Sequence, residues 1–245
     1  MASTVELMHA RHRTDEQMGQ LFGDGWPAFI TADQVAKQHI GEVRRLFADL
    51  ELVLVDADGV LVAAGWAVPV RWDGEPTHLP GGYTDSLVLA VEGHEQGDRA
   101  NTLVIMAAQV HPGRRGRGLA GELLTALRRL AGERGWHHVI APVRPTLKSR
   151  YPLTPIERFA SWVRADGSLL DPWLRTHQRL GAEVVATAPR SQTMTGTVEQ
   201  WEDWSGMRLP DTGDYVIPDG LSTLHVDRDS DRGIYIEPNV WMQHQ

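Results

Sequence analysis

The stretch from Thr102 to Leu130 constrains the fold more than any other part of the chain. Thr102–Val110 (TLVIMAAQV) is a near-continuous apolar run of strand length, so both of its faces belong inside a covered sheet. His111-Pro112 ends it, because proline cannot donate to a ladder. A glycine-rich turn, RRGRG, follows, and then Leu119, Leu123, Leu127 and Leu130 recur on one helical face until Gly132 and Gly135 close the helix. His138–Ala141 begins the next strand, which Pro142 is expected to bend. A buried strand that passes through glycines into an amphipathic helix calls for layers of helix on sheet.

The flanking segments extend this pattern. Val5–His9 reads as a strand and Thr14–Phe22 as a polar helix, broken by Gly23, Gly25 and Pro27. Thr31 with Gln34 forms a candidate capping box ahead of an amphipathic helix over Thr31–Leu50. Leu52–Val55 and Val60–Val68 read as strands joined by the turn Asp56–Gly59, with Pro69 interrupting the second. A long loop around Gly74–Gly82 precedes a short helix over Asp85–Gly93. Further helices are expected near Ile156–Arg164 and at Pro172–Leu180, the latter closed by Gly181. Strands are expected at Ala182–Ala188, Ser191–Thr197, Leu221–Val226 and Gly233–Ile236. The predicted fold class is α/β, with an α+β mixed sheet. Residues 1–197 form the domain, and 198–245 form an acidic C-terminal extension packed on or beside it.

Composition removes whole classes of chemistry. The 245 residues include no cysteine, which excludes disulfides, a thiol nucleophile and thiolate metal sites; no metal is expected. No apolar run is long enough for a signal peptide or a membrane span, so the expectation is a cytoplasmic protein without a membrane partner. Residues 111–150 carry nine Lys/Arg against two Asp/Glu, or +7, which leaves −15 for the rest of a chain of net charge −8. An acidic chain with one short basic segment is poorly suited to nucleic acid and well suited to a small polyanion.

That basic segment is the glycine turn itself. Arg115, Gly116, Arg117, Gly118, Leu119 and Ala120 place backbone N–H groups at the positive end of a helix, where a phosphate or pyrophosphate binds. Arg114, Arg115 and Arg117 add charge beside them. The phosphate loop G-x-x-x-x-G-K-S/T is absent. Gly116-x-Gly118-x-x-Gly121 does satisfy the dinucleotide pattern G-x-G-x-x-G. Its acidic ribose partner is missing, and Arg144 in its place leaves an NADP reading open.

Arg115-x-x-Gly118-x-Ala120 resembles the Gln/Arg-x-x-Gly-x-Gly/Ala acetyl-CoA loop of the GNAT superfamily of N-acetyltransferases. The preceding Val-His-Pro, the leucine-striped helix and the order of elements from Val5 to Thr197 are similar too. The segment Leu174-Arg175-Thr176-His177-Gln178-Arg179-Leu180-Gly181 resembles the family's late helix, which commonly ends Phe-Tyr-x-x-Leu-Gly. The resemblance implies a GNAT-type acyltransferase fold with two insertions and a C-terminal extension. It also implies acetyl-CoA as co-substrate and transfer of an acyl group to a small amine. Loop amides from Arg115 to Ala120 would hold the pyrophosphate, and backbone groups near Ala108–Val110 would pair with the pantetheine arm. The acceptor would enter from the opposite side of the gap beside that strand.

The sequence departs from the family pattern at its catalytic positions. His177 stands where relatives often place the tyrosine that protonates the departing thiolate, and the long strand has no Asp or Glu to serve as base. His177 is therefore the candidate acid, with hydrogen-bond stabilisation of the sulfur or a plain packing role as alternatives. His111 reads as structural. The insertion Arg144–Asp171, with Tyr151, Phe159, Trp162 and Trp173, is expected to roof the acceptor side or else to form satellite core. The extension could cover its own subunit, pair two copies as a homodimer, or dock another protein. A non-catalytic acyl-CoA-binding module is the rival to an enzyme.

Overall fold

The computed structural model describes residues 3–22 and 25–245; the expected helix breaker Gly23 lies outside them. The strands are β1 (Thr4–Leu7), β2 (Glu51–Val55), β3 (Leu61–Val70), β4 (Thr102–Val110), β5 (His138–Val143), β6 (Ala182–Gly196), β7 (Gly213–Val216), β8 (Thr223–Asp227) and β9 (Arg232–His244). The helices are α1 (Asp15–Phe22), α2 (Gln34–Leu46), α3 (Tyr83–Gln96), α4 (Leu119–Glu133), α5 (Ile156–Ala160), α6 (Pro172–Arg179) and α7 (Val198–Ser205). One mixed sheet runs β1-β2-β3-β4-β5-β9-β8-β7, with β6 along β9. Strands β4 and β5 pair in parallel and the remaining ladders are antiparallel.

The leucine stripe does what its spacing requires. Leu119, Leu123, Leu124 and Leu127 are all buried on α4, in one core with Leu103, Val104 and Ile105 of β4. Gly65 of β3 lets α4 approach closely: a Cβ there would sit 2.7 Å from the Ala107 carbonyl oxygen and 3.1 Å from Leu123 Cδ2. A second core joins Met194, Trp201, Leu224, Val226 and Tyr235 to Phe29, from the turn before α2.

Several boundaries differ from the sequence expectations. Helix α2 is capped by Asp33, whose Oδ1 accepts the Ala36 N–H at 2.9 Å, not by Thr31; the preceding residues form a tighter turn. Pro69 sits inside β3 instead of interrupting it, and Pro142 lies within β5. The strands expected at 182–188 and 191–197 are one strand, β6, with an irregularity between Ala188 and Gln192.

The largest correction concerns residues 198–245. The short strand expected at Gly233–Ile236 is the thirteen-residue β9, which lies inside the sheet between β5 and β6. Its polar interruption, Glu237-Pro238-Asn239, is buried and satisfied: Arg144 Nε donates to Glu237 Oε1 at 2.7 Å, and Ser191 Oγ donates to Asn239 Oδ1 at 2.5 Å. The segment beyond Thr197 therefore contributes three strands, β7, β8 and β9, to the same sheet. Among the described residues no helix is long and apolar enough to cross a membrane, and no group of three or more His, Asp or Glu could hold a metal ion.

Candidate active site

Strands β4 and β5 part company halfway along. Their parallel pairing covers Thr102–Val104 against His138–Ile140 and then stops. Strand β5 continues along β9, with Ala141 opposite Met242 and Val143 opposite Val240. Strand β4 continues along β3, but Trp66 pairs with Ala107 while Ala67 pairs with Ile105, so Met106 is an extra residue. A bulge of this kind bends its strand. From Ile105 to Val110 the edge of β4 that faces β5 thus has no strand partner among the described residues, which leaves a gap between the two strands.

The glycine loop stands at the end of that gap. Gly116 has φ 79° and Gly118 φ 82°, left-handed conformations that tax any residue with a Cβ. Gly118 is the N-cap of α4 and no side chain caps the helix. The first-turn N–H groups of α4 therefore remain available at the positive end of its dipole. Arg115, Gly116, Arg117 and Gly118 are exposed, while Leu119 is buried and fixes the helix on the sheet. Val110 and Ala120 are half-buried where strand and helix flank the loop. The guanidinium groups of Arg115 and Arg117 have no partner among the described residues, while the Arg115 N–H donates to the Pro112 carbonyl. Arg114 differs from expectation, since its Nη2 is 3.1 Å from Asp56 Oδ2 and the pair anchors the loop to the β2–β3 turn. His111 Nδ1 accepts the Gly113 N–H at 3.1 Å, which shapes the turn. An uncapped helix start, two left-handed glycines and two free guanidinium groups fit a pyrophosphate. The sheet, with one parallel pair, lacks the repeated strand–helix–strand units of a dinucleotide fold, and Arg144 is engaged by Glu237.

The two faces of the gap are built differently. Helices α4 and α6 share one face, where a Cβ on Gly121 would meet Leu180 Cδ2 at 3.8 Å. On the other face Trp26 Nε1 donates to Gln109 Oε1 at 2.7 Å, and the Tyr83 N–H donates to Ser191 Oγ at 2.8 Å. Gly25 packs so closely there that a Cβ would lie 1.8 Å from Gln109 Nε2. Trp26, Tyr83 and Gln109 were not singled out as site residues by the sequence. Gln109 stands in an otherwise apolar strand, and that is the signal that could have marked it.

No protein-family model matches the chain. The loading GNATL domain of CurA from Lyngbya majuscula shares the fold, with a TM-score of 0.60 at 15% identity over 100% of this chain and 98% of that one. The GphF GNAT-like decarboxylase, solved with isobutyryl-CoA, gives 0.57 at 17% identity over 94% and 93%. The arginine N-acetyltransferase avaD of Aspergillus versicolor is 32% identical over 247 residues, covering 89% of this chain and 84% of that protein. The chain belongs to the GNAT superfamily of N-acetyltransferases. It is an acyl-CoA-dependent N-acyltransferase, and nothing in these relatives favours a non-catalytic module.

In this acetyltransferase His177 is buried and paired with a second histidine. It is 1% exposed, and its Nδ1 lies 3.0 Å from Nε2 of His244, itself buried at the end of β9. Burial, with the neighbouring imidazole, holds the pKa of His177 down at about 3; burial and Arg128 hold His244 at about 4. Both rings are neutral near pH 7, so His177 is not an imidazolium with a proton to release to a leaving thiolate, although a neutral ring still carries one N–H. The pair instead ties α6 to β9. A histidine whose pKa falls on folding leaves the unfolded chain binding more protons, so stability is full above pH 6.5 and declines as pH drops toward the folded values. Urea midpoints of the parent are expected to fall between pH 7 and pH 4.5, with a shallower fall in His177→Phe/His244→Leu. An unchanged slope in the double variant would remove the pair from this account.

The aromatics of the 144–171 insertion are mostly packing. Phe159 is fully buried, Tyr151 and Trp162 stack edge to face at 4.9 Å, and Trp173 stands 4.5 Å from the His177 ring. Trp173 lies on the α6 side of the gap with His177. The start of the insertion, Arg144 to Lys148, reaches Glu237 and the carbonyl of Leu221.

Proposed function

We propose that this enzyme transfers an acetyl group from acetyl-CoA to an amine of arginine or a closely similar small amine. The observation that carries the donor half is the gap between β4 and β5 ending on the uncapped start of α4. In this reading the amides of Arg115–Ala120 bind the pyrophosphate, and the free edge of β4 through Val110 pairs with the pantetheine arm. The acceptor half rests on the relative at 32% identity.

The chemistry needs positioning more than reactive side chains. The amine nitrogen attacks the thioester carbonyl, a C–N bond forms, the C–S bond breaks, and the amine proton leaves as the thiolate gains one. In this reading backbone N–H groups beside the Met106 bulge meet the developing oxyanion. With His177 neutral and β4 free of carboxylates, water is the carrier of both protons. A thiol-release assay with acetyl-CoA and a panel of amines tests the reading. Arginine is expected to accelerate release well above the rate with no acceptor. Acetyl-CoA binding without acceleration by any amine would contradict it.

A further inference from the structure

Arg144 leaves β5 at the far wall of the gap, and its guanidinium is held from one side only. Nε donates to Glu237 Oε1 at 2.7 Å, and Nη2 donates to Glu237 Oε2 at 3.2 Å and to the Asp219 carbonyl at 2.7 Å. Those three bonds use three of its five N–H groups. Nη1 has no partner among the described residues, yet it is absent from the buried unpartnered atoms and so reaches solvent. Glu237 is 0% exposed and takes a further bond from Tyr235 Oη at 2.9 Å.

The surroundings favour an anion. Lys148, 1% exposed, donates through Nζ to the carbonyls of Tyr151 and Leu221 and has no carboxylate partner. Burial lowers its pKa to about 8, which leaves it mostly protonated at neutral pH. Arg144 and Lys148 both grip the turn at 219–221, beside the buried carboxylate of Glu237, and Asp219 of that turn is exposed.

Position completes the case. Side chains alternate along a strand, so Glu237, Asn239 and Trp241 share one face of β9, and His244 with its partner His177 lies on the other. Asn239 connects through Ser191 to Tyr83, so Arg144 stands on the face away from α4 and the glycine loop. Counting on from the last paired residues, Val104 and Ile140, and allowing for the extra Met106, brings Arg144 level with Gln109 across the gap.

We infer that the free Nη1 edge of Arg144 binds the carboxylate of the acceptor, which makes the acceptor an α-amino acid instead of a simple amine. This rests on the acceptor side assigned above. Arginine and agmatine, its decarboxylated form, make the matched probe. The parent enzyme is expected to favour arginine by about 10- to 100-fold in kcat/KM, the worth of one charge-assisted hydrogen bond. Arg144→Met/Glu237→Gln removes both members of the buried pair and avoids a stranded charge. It is expected to bring the arginine-to-agmatine ratio close to one, through the KM of arginine, with acetyl-CoA affinity retained. A purely structural pair would lower both substrates alike and keep the ratio. Equal use of arginine and agmatine by the parent, or a ratio that survives the double variant, would overturn the assignment. If arginine is not a substrate but another amine is, the arginine reading fails, and that amino acid against its own decarboxylated amine still tests Arg144. Calorimetric binding of both probes to the coenzyme A-loaded protein gives the same comparison without turnover.

Discussion

Gly118→Asp is expected to weaken acetyl-CoA binding by at least about tenfold, or about 1.4 kcal/mol, by titration calorimetry. The substitution acts at the N-cap of α4, where φ is 82° and, apart from the two chain neighbours, no atom of the described residues lies within 4 Å of the point a Cβ would occupy. Space is therefore not the obstacle. A carboxylate at that point occupies the first-turn amides and repels the pyrophosphate they would bind. Gly118→Ala separates the causes, since it carries the left-handed strain without the charge. Its loss is expected to be clearly smaller. Equal losses in the two variants would assign the effect to backbone strain, and full affinity in both would move the donor site away from this loop.

Trp201→Ala is expected to lower stability by about 3–5 kcal/mol, the usual range for deleting a buried tryptophan. Trp201 is 0% exposed and packs with Phe29 at a ring-centroid distance of 5.6 Å. Gly233 accommodates it, because a Cβ there would lie 2.2 Å from Trp201 Cδ1. Phe29 belongs to the turn between Trp26 and the α2 cap Asp33, and Asp33 Oδ2 accepts from the Thr193 N–H of β6 at 3.2 Å. Loosening Trp201 thus loosens the segment that lays Trp26 against Gln109. The variant is expected to unfold in one transition at lower temperature and to show a raised acceptor KM, with acetyl-CoA affinity nearly unchanged. A separate early transition confined to residues 198–245 would mean that the second core is an independent unit.

The donor half of the site was legible because its signals are local. A buried strand, two glycines and a leucine stripe lie within thirty consecutive residues, and each follows from periodicity or from a single backbone angle. The acceptor half was not, because it is assembled from distant segments. Strand β9 owes its central place to pairing with β5 and β6, and the expected strand stopped at Ile236, short of Glu237 and Asn239, which Arg144 and Ser191 satisfy. His177 shows the same limit in another form. Its spacing from Gly181 matched a family tyrosine, but the burial and the His244 partner that make it neutral come from a strand 67 positions away. Thr31 and Asp33 both had the chemistry of a helix cap, and only the Thr84 and Thr193 bonds to Asp33 show why the second one serves.

Amide hydrogen exchange with and without acetyl-CoA tests the central claim most directly. Slowed exchange is expected in two segments together, the free edge of β4 from Met106 to Val110 and the loop and helix start from Arg115 to Gly121. Strand β8 and helix α7, remote from the gap, are expected to exchange as before. Binding that leaves both segments unprotected, or that protects residues 198–231 in their place, would contradict a donor site between β4 and β5.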